Sequence, residues 1–125
     1  VDGKCFKRYL DIAKILKNKV AVITDNDKNY NEKITNIYSD YTNDQFPNIR
    51  IFSDVNDSRY TFEVCIYEDN KEICDEEFTT PRRKLQIIDF MLENKTEAAY
   101  TLLKNRANTL VVPDYIQKAI KWIDE

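Results

Sequence analysis

The sequence predicts an α/β fold, a small parallel sheet followed by a helical C-terminal segment. Three observations carry that prediction. The stretch "VAVIT", residues 20–24, is short, β-branched and uniformly apolar, the pattern of a strand covered on both faces. Helix-periodic segments flank it and a second short strand follows, giving the helix–strand–helix–strand order of a parallel layer. From Pro81 onward the apolar spacing is helical. With 125 residues the chain suits one domain with a moderate core. The expected division is an α/β portion over 1–70 and a helical portion over 80–125.

Phe6, Leu10, Ala13 and Leu16 recur at helical spacing, which predicts an amphipathic helix over 4–17. Lys14, Lys17 and Lys19 gather at its end, where cations complement the helix dipole. The strand 20–24 leads into a polar loop and then a helix near 30–41, with Ile34, Ile37, Tyr38 and Tyr41 as its inner stripe. Pro47 precedes the second strand, "NIRIFS", 48–53, and "SDVNDSR", 53–59, reads as turns. The segment 60–70 fits both a strand and a helix; Thr61 as a cap favours the helix. Thr80 and Pro81 open the helical portion as cap and first residue, with Leu85, Ile88 and Leu92 as its buried stripe. Asn94 and Glu97 resemble a capping box for the next helix, through Ala98, Ala99, Leu102 and Leu103. Pro113 and Asp114 open the last, lined by Val112, Ile116, Ala119, Ile120 and Ile123.

Absences narrow the chemistry. The chain has no histidine, which excludes His-based triads, dyads and metal sites. Its single glycine, Gly3, excludes a P-loop and a G-x-G-x-x-G turn. The net charge of -3 supplies no global field toward nucleic acid or anionic lipid. Cys5, Cys65 and Cys74 form an odd set with no C-x-x-C pair, as expected of free thiols in a reducing cytoplasm. No run is long and apolar enough to span a membrane, and no signal-peptide pattern opens the chain. The opening "VDG" reads as the tail of a strand already under way, so a longer parent is expected.

Catalysis on such a chain rests on carboxylates, lysines, arginines or tyrosines. Asp25 and Asp27 lie at the carboxyl end of the first strand, where open α/β sheets place ligand crevices. If the chain stays extended across them, both side chains point the same way, a start for a Mg²⁺ site. A polar turn capping the next helix is the simpler explanation of Asp-Asn-Asp-Lys-Asn, since D-x-D is a weak pattern. Lys95 opens a helix, where the dipole disfavours a cation; it is either an anion contact or a solvated surface lysine. Glu63, within "TFEVCIY", is either a helix-start carboxylate or a metal ligand. Asp54 and Asp57 read as loop formers, Asp54 as a weaker metal candidate. Arg82, Arg83 and Lys84 form a basic cluster that suits either solvent or a phosphate. Trp122 and the tyrosines read as core or rim.

Four segments together, residues 1–27 ending in "VITDND", "RYTFEVCIYEDN", "MLENKTEAAYTLL" and "VPDYIQKAIKWI", resemble the C-terminal Toprim region of the overcoming-lysogenization-defect (OLD) family of ATP-dependent endonucleases. That family includes the nuclease subunits of Gabija anti-phage systems. The D-x-D is shared by all Toprim proteins, whereas the "NKTEAA" and "TFE" segments point to this family. The resemblance implies a partial Toprim, Rossmann-like sheet and a cytoplasmic, DNA-cleaving nuclease that takes part in antiviral defence. It implies Mg²⁺ or Mn²⁺ at a two-metal site, with Asp25, Asp27 and Glu63 as ligands and Lys95 as the catalytic residue. It also implies DNA, an N-terminal ATPase domain and a homo-oligomeric parent as partners. The family's further glutamate, in an E-G-type motif, would precede Val1, so this stretch alone is expected to be inactive or nearly so. The competing expectations are another phosphoryl-transfer Toprim enzyme and a non-catalytic α/β module that docks a partner protein.

Overall fold

The computed structural model describes residues 6–80 and 85–125. It is mixed α/β, with one two-stranded parallel sheet among the described residues and helices around it. Strand β1 (Val20–Ile23) pairs with β2 (Ile49–Phe52), Val20 opposite Ile49 and Ile23 opposite Phe52. Side chains alternate across this pair as strand geometry requires. Val20, Val22, Ile49 and Ile51 pack on one side with Leu10, Ala13, Ile34, Tyr38 and Tyr41. Ala21 and Phe52 pack on the other with Cys65, Tyr115, Ala119 and Trp122. The expected two-sided cover of "VAVIT" is therefore present.

Helix α1 (Phe6–Leu16) supplies the first cover, with Leu10 and Ala13 buried and the Phe6 ring 4.6 Å from that of Tyr38. Leu16, expected on the inner stripe, is instead 60% exposed. The cause is the turn that follows: Lys17 takes φ 60°, while its N–H still closes the helix on the Ala13 carbonyl. That left-handed residue ends α1 at Leu16 and leaves its side chain beyond the strands. The predicted helix near 30–41 is a short π-type segment, Asn31–Asn36, continued by turns to Tyr41. Its inner stripe is as expected, with Ile34, Tyr38 and Tyr41 buried.

Helix α2 (Phe62–Asp69) begins as the sequence indicated: the Thr61 hydroxyl accepts the Val64 N–H at 3.2 Å. Helix α3 (Lys71–Phe78), which the sequence patterns did not reveal, follows one residue later. Asn70 joins the two and ties them to the loop before the last helix. Its side chain donates to the Ile66 and Val111 carbonyls and accepts the Val111 N–H.

Of the helix expected from Pro81, Pro81 itself and the basic cluster lie outside the described residues, while Thr80, its expected cap, is described and exposed. Helix α4 spans Ile87–Glu93, with Leu85 outside it and exposed. Its buried residue is Met91, flanked by Ile87 and Phe90, rather than the stripe through Leu85, Ile88 and Leu92. That face closes on Ile66, Cys74, Phe78, Ala98 and Leu102. Helix α5 (Lys95–Arg106) starts where expected, but no capping box forms. The Asn94 amide turns back to the Phe90 carbonyl at 3.0 Å, closing α4 instead of capping α5.

Helix α6 (Asp114–Asp124) covers the second sheet face through Tyr115, Ala119 and Trp122, spaced i, i+4, i+7. Val112, Ile120 and Ile123, expected to be inward, are exposed, because the aromatic residues take the sheet-facing positions. Cys65 and Cys74 are buried free thiols. No helix among the described residues is long and apolar enough to cross a membrane.

Candidate functional site

The chain leaves β1 at Ile23 and enters a loop whose anchor is Asn26, 1% exposed. The Asn26 amide donates to three carbonyls of the 54–59 loop: Asp54 at 2.9 Å, Asn56 at 2.9 Å and Arg59 at 3.3 Å. Its side-chain oxygen accepts the Lys28 N–H at 2.9 Å. Each loop carries backbone groups that no strand satisfies, and one buried amide answers four of them. This residue therefore locks the D-x-D loop to the loop following β2.

Locking has a geometric consequence. Asp27 and Lys28 adopt φ 50° and φ 72°, and the Asn29 N–H closes a turn on the Asn26 carbonyl. The chain is thus not extended through Asp27, so the condition for a common direction by period-2 geometry is not met. The turn brings them together by another route. Asp25 is half-buried, and Glu63, Asp27 and Lys95 all act on its charge. The structure therefore gathers Asp25, Asp27, Glu63 and Lys95 around one sheet end, from the β1 loop, α2 and α5.

Asp25 also serves the fold: one carboxylate oxygen accepts the Phe62 N–H at 2.9 Å, at the first turn of α2. Helix N-termini stabilise negative charge, and this bond lowers the Asp25 pKa. Burial outweighs it, and together with the Glu63 and Asp27 charges holds the carboxyl above its ordinary value. Among the described residues no ion pair engages Asp25, Asp27, Glu63 or Lys95. Glu63 and Lys95 line a narrow cavity between α2 and α5, with Phe62, Met91 and Leu102 as its apolar floor.

The other acidic candidates are engaged elsewhere. Asp54 pairs with Arg59 at 2.6 Å, and the same guanidinium reaches Glu68 at 3.0 Å and Asp69 at 2.9 Å. Asp57 accepts the Tyr30 N–H at 2.8 Å. Both are loop formers, as the turn chemistry suggested. Arg82, Arg83 and Lys84 lie outside the described residues.

Two residues near the site had no sequence signal as site members. Tyr115 of α6 is buried, and its phenol is raised well above its ordinary pKa by burial, with Cys65, Asp25, Asp54 and Glu63 adding to the effect. Cys65 is raised to about 11, chiefly by burial, and its thiol donates to the Arg59 carbonyl at 3.6 Å. Asn26 was visible only as the middle of D-x-D; its role depends on a loop 28 or more residues away.

Among the described residues, no three carboxylate or thiol side chains converge closely enough to form a ready metal cage. What is present is Asp25, half-buried and without an ion pair, whose charge is disfavoured by burial and by the nearby Glu63 and Asp27 carboxylates. A divalent cation would offset both, so these residues suit part of a metal shell rather than a whole one. No family model, curated protein or solved structure matches the chain.

Proposed function

We propose that this chain is the C-terminal part of a Toprim nuclease domain of the OLD family, hydrolysing DNA phosphodiester bonds with Mg²⁺ or Mn²⁺. The observation that carries the reading is the unpaired acidic group at the carboxyl end of a parallel strand, with an unpaired lysine beside it. Asp25, Asp27 and Glu63 would hold the metal, and Lys95 would meet the scissile phosphate. Two divalent ions, when bound, supply the activated water and the stabilisation of the leaving oxygen.

The chain's own residues account for the rest. Asn26 sets where the carboxylates lie by clamping the loop that carries them. Lys95, at the start of α5, brings a positive charge to the acidic group without being consumed by a salt bridge, so it is free to neutralise a phosphate. Phe62, Met91 and Leu102 line the cavity beside Glu63 and Lys95 and give that side an apolar wall. The remaining glutamate and the ATPase domain are assigned, on the same resemblance, to the parent upstream of Val1. The antiviral role follows from that family alone.

The test is cleavage of duplex DNA by the full-length parent with Mg²⁺ or Mn²⁺. Asp27→Ala and Lys95→Ala should each abolish it while leaving the thermal unfolding transition in place. Undiminished cleavage in both variants would refute the site.

A further inference from the structure

Three tyrosines are buried among the described residues, Tyr38, Tyr41 and Tyr115, and one differs from the other two. Tyr41 donates its hydroxyl to the Asp11 carboxylate at 2.9 Å, and Tyr38 is hydrogen-bonded to the Thr24 side chain. Tyr115 is only 8% exposed, yet its hydroxyl has no hydrogen-bond partner among the described residues. A buried phenol in that state is costly, and native structures satisfy nearly all such groups with a protein atom, a water or an ion.

The course of α6 says where the missing partner belongs. Trp122, near the end of the helix, lies against Lys19 at 4.7 Å and Arg50 at 5.8 Å, beside the starts of β1 and β2. The helix therefore runs antiparallel to the strands and sets Tyr115, its second residue, at their carboxyl end. There Tyr115 packs with Phe52, the last residue of β2, and with Cys65, two residues after Glu63 in α2. Burial raises its phenol pKa, and the charges of Cys65, Asp25, Asp54 and Glu63 add to the effect, so the proton stays on the oxygen. Asp54 is paired with Arg59, whereas Asp25 and Glu63 have no ion pair among the described residues. A hydroxyl without a partner thus stands beside two carboxylates without a cation. No direct bond joins them, so the group that completes both is a bridging one. A divalent cation held by few carboxylates keeps several waters, and a phenol can bond one of them.

We propose that Tyr115 is a positioning residue of the acidic group, its hydroxyl holding by a hydrogen bond a water in the shell of the divalent cation that Asp25 and Glu63 bind. The proposal rests on the metal reading and adds to it a residue from α6, an element that supplies no carboxylate to the site.

The chain is titrated with Mn²⁺, free cation being read from its electron paramagnetic resonance signal, and its thermal unfolding is followed separately in EDTA. Tyr115→Phe keeps the ring and removes only the hydroxyl. It should weaken Mn²⁺ binding about 10-fold, the size of effect expected of groups that orient a metal's ligands. Its metal-free Tm should stay the same or rise, because no protein hydrogen bond is lost. Tyr41→Phe should do the converse: loss of the bond to Asp11 lowers the metal-free Tm by about 4 °C and leaves Mn²⁺ affinity unchanged. If Tyr115→Phe binds Mn²⁺ as tightly as the wild type while Asp25→Asn has lost binding, the proposal is overturned and the metal reading stands. A fall in the metal-free Tm of Tyr115→Phe matching that of Tyr41→Phe would also overturn it, since the hydroxyl would then belong to the fold. No Mn²⁺ binding by the wild type, or undiminished binding by Asp25→Asn, would overturn both.

Discussion

Two acidic regions of this protein are built on opposite plans. Around Arg59, three carboxylates converge on one guanidinium at 2.6 to 3.0 Å, and Arg106 does the same for Glu76 and Glu77 at 2.8 and 2.6 Å. At the end of β1, the charges of Glu63 and Asp27 act on Asp25 with no bonded cation among the described residues. The first plan ties loops and helices together. The second leaves the half-buried Asp25 charge without a bonded cation, a state that burial disfavours and that an external cation would offset.

Removing Arg59 should break the paired region and give the largest effect. Arg59→Ala strands Asp54, Asp69 and Glu68 without their partner, and the expected loss is about 3 kcal/mol, the low end for buried pairs because Glu68 is substantially exposed. Urea denaturation measures it as a lower midpoint at unchanged slope. Asn26→Ala should follow at about 2 kcal/mol, since three carbonyls and one N–H lose a buried partner. If its clamp sets the acidic group, this variant should also lose whatever metal response the wild type shows.

Opposite pH trends sharpen the contrast. The Glu77 carboxyl is held below its ordinary range, first by its bond from Arg106 and then by that from Asn105. Its contribution is present above the unfolded-state value and fades as pH falls through the folded one. Glu77→Gln should therefore destabilise at neutral pH and become neutral in acid. The Asp25 carboxyl is raised, chiefly by burial, so its favourable contribution exists below the unfolded-state value and is lost as pH rises. Asp25→Asn, which keeps an acceptor for the Phe62 N–H, should leave stability unchanged or higher at pH 7, with that gain vanishing near pH 3. Thermal melts across pH check both signs. Smallest of all, Lys118→Ala removes an exposed i, i+4 pair and should change stability by no more than about 0.5 kcal/mol.

What the sequence disclosed divides along similar lines. Features set within a few residues were legible: the β-branched strand 20–24, the Thr61 cap, the stripe through Ile34, Tyr38 and Tyr41, and the start of α5 at Lys95. Features set by distant partners were not. Leu16, Leu85, Ile120 and Ile123 had the right spacing for burial, yet tertiary packing chose Met91, Tyr115 and Trp122 instead. Helix α3 carries a weak apolar signal, Ile73, Cys74 and Phe78 among acidic residues, and depends on Asn70 contacting Val111, 41 residues away. At the site, residue types were readable but the route that gathers them was not. An extended D-x-D would have aligned two aspartates, whereas the chain turns left-handed at Asp27 and Lys28 beside the Asn26 clamp, and Glu63 and Lys95 arrive on two separate helices.

The central claim is that the unpaired carboxylates at the end of β1 hold a divalent cation. Thermal unfolding of the chain with rising Mn²⁺ tests it directly, because a ligand at tenfold its dissociation constant should stabilise the folded state by about 1.4 kcal/mol. The expected result is a concentration-dependent rise in Tm for the wild type. Asp25→Asn and Glu63→Gln should lose it, while Glu68→Gln, in the arginine-paired region, should retain it. An equal Mn²⁺ shift in wild type, Asp25→Asn and Glu63→Gln would contradict the claim, as would no shift in the wild type at millimolar Mn²⁺.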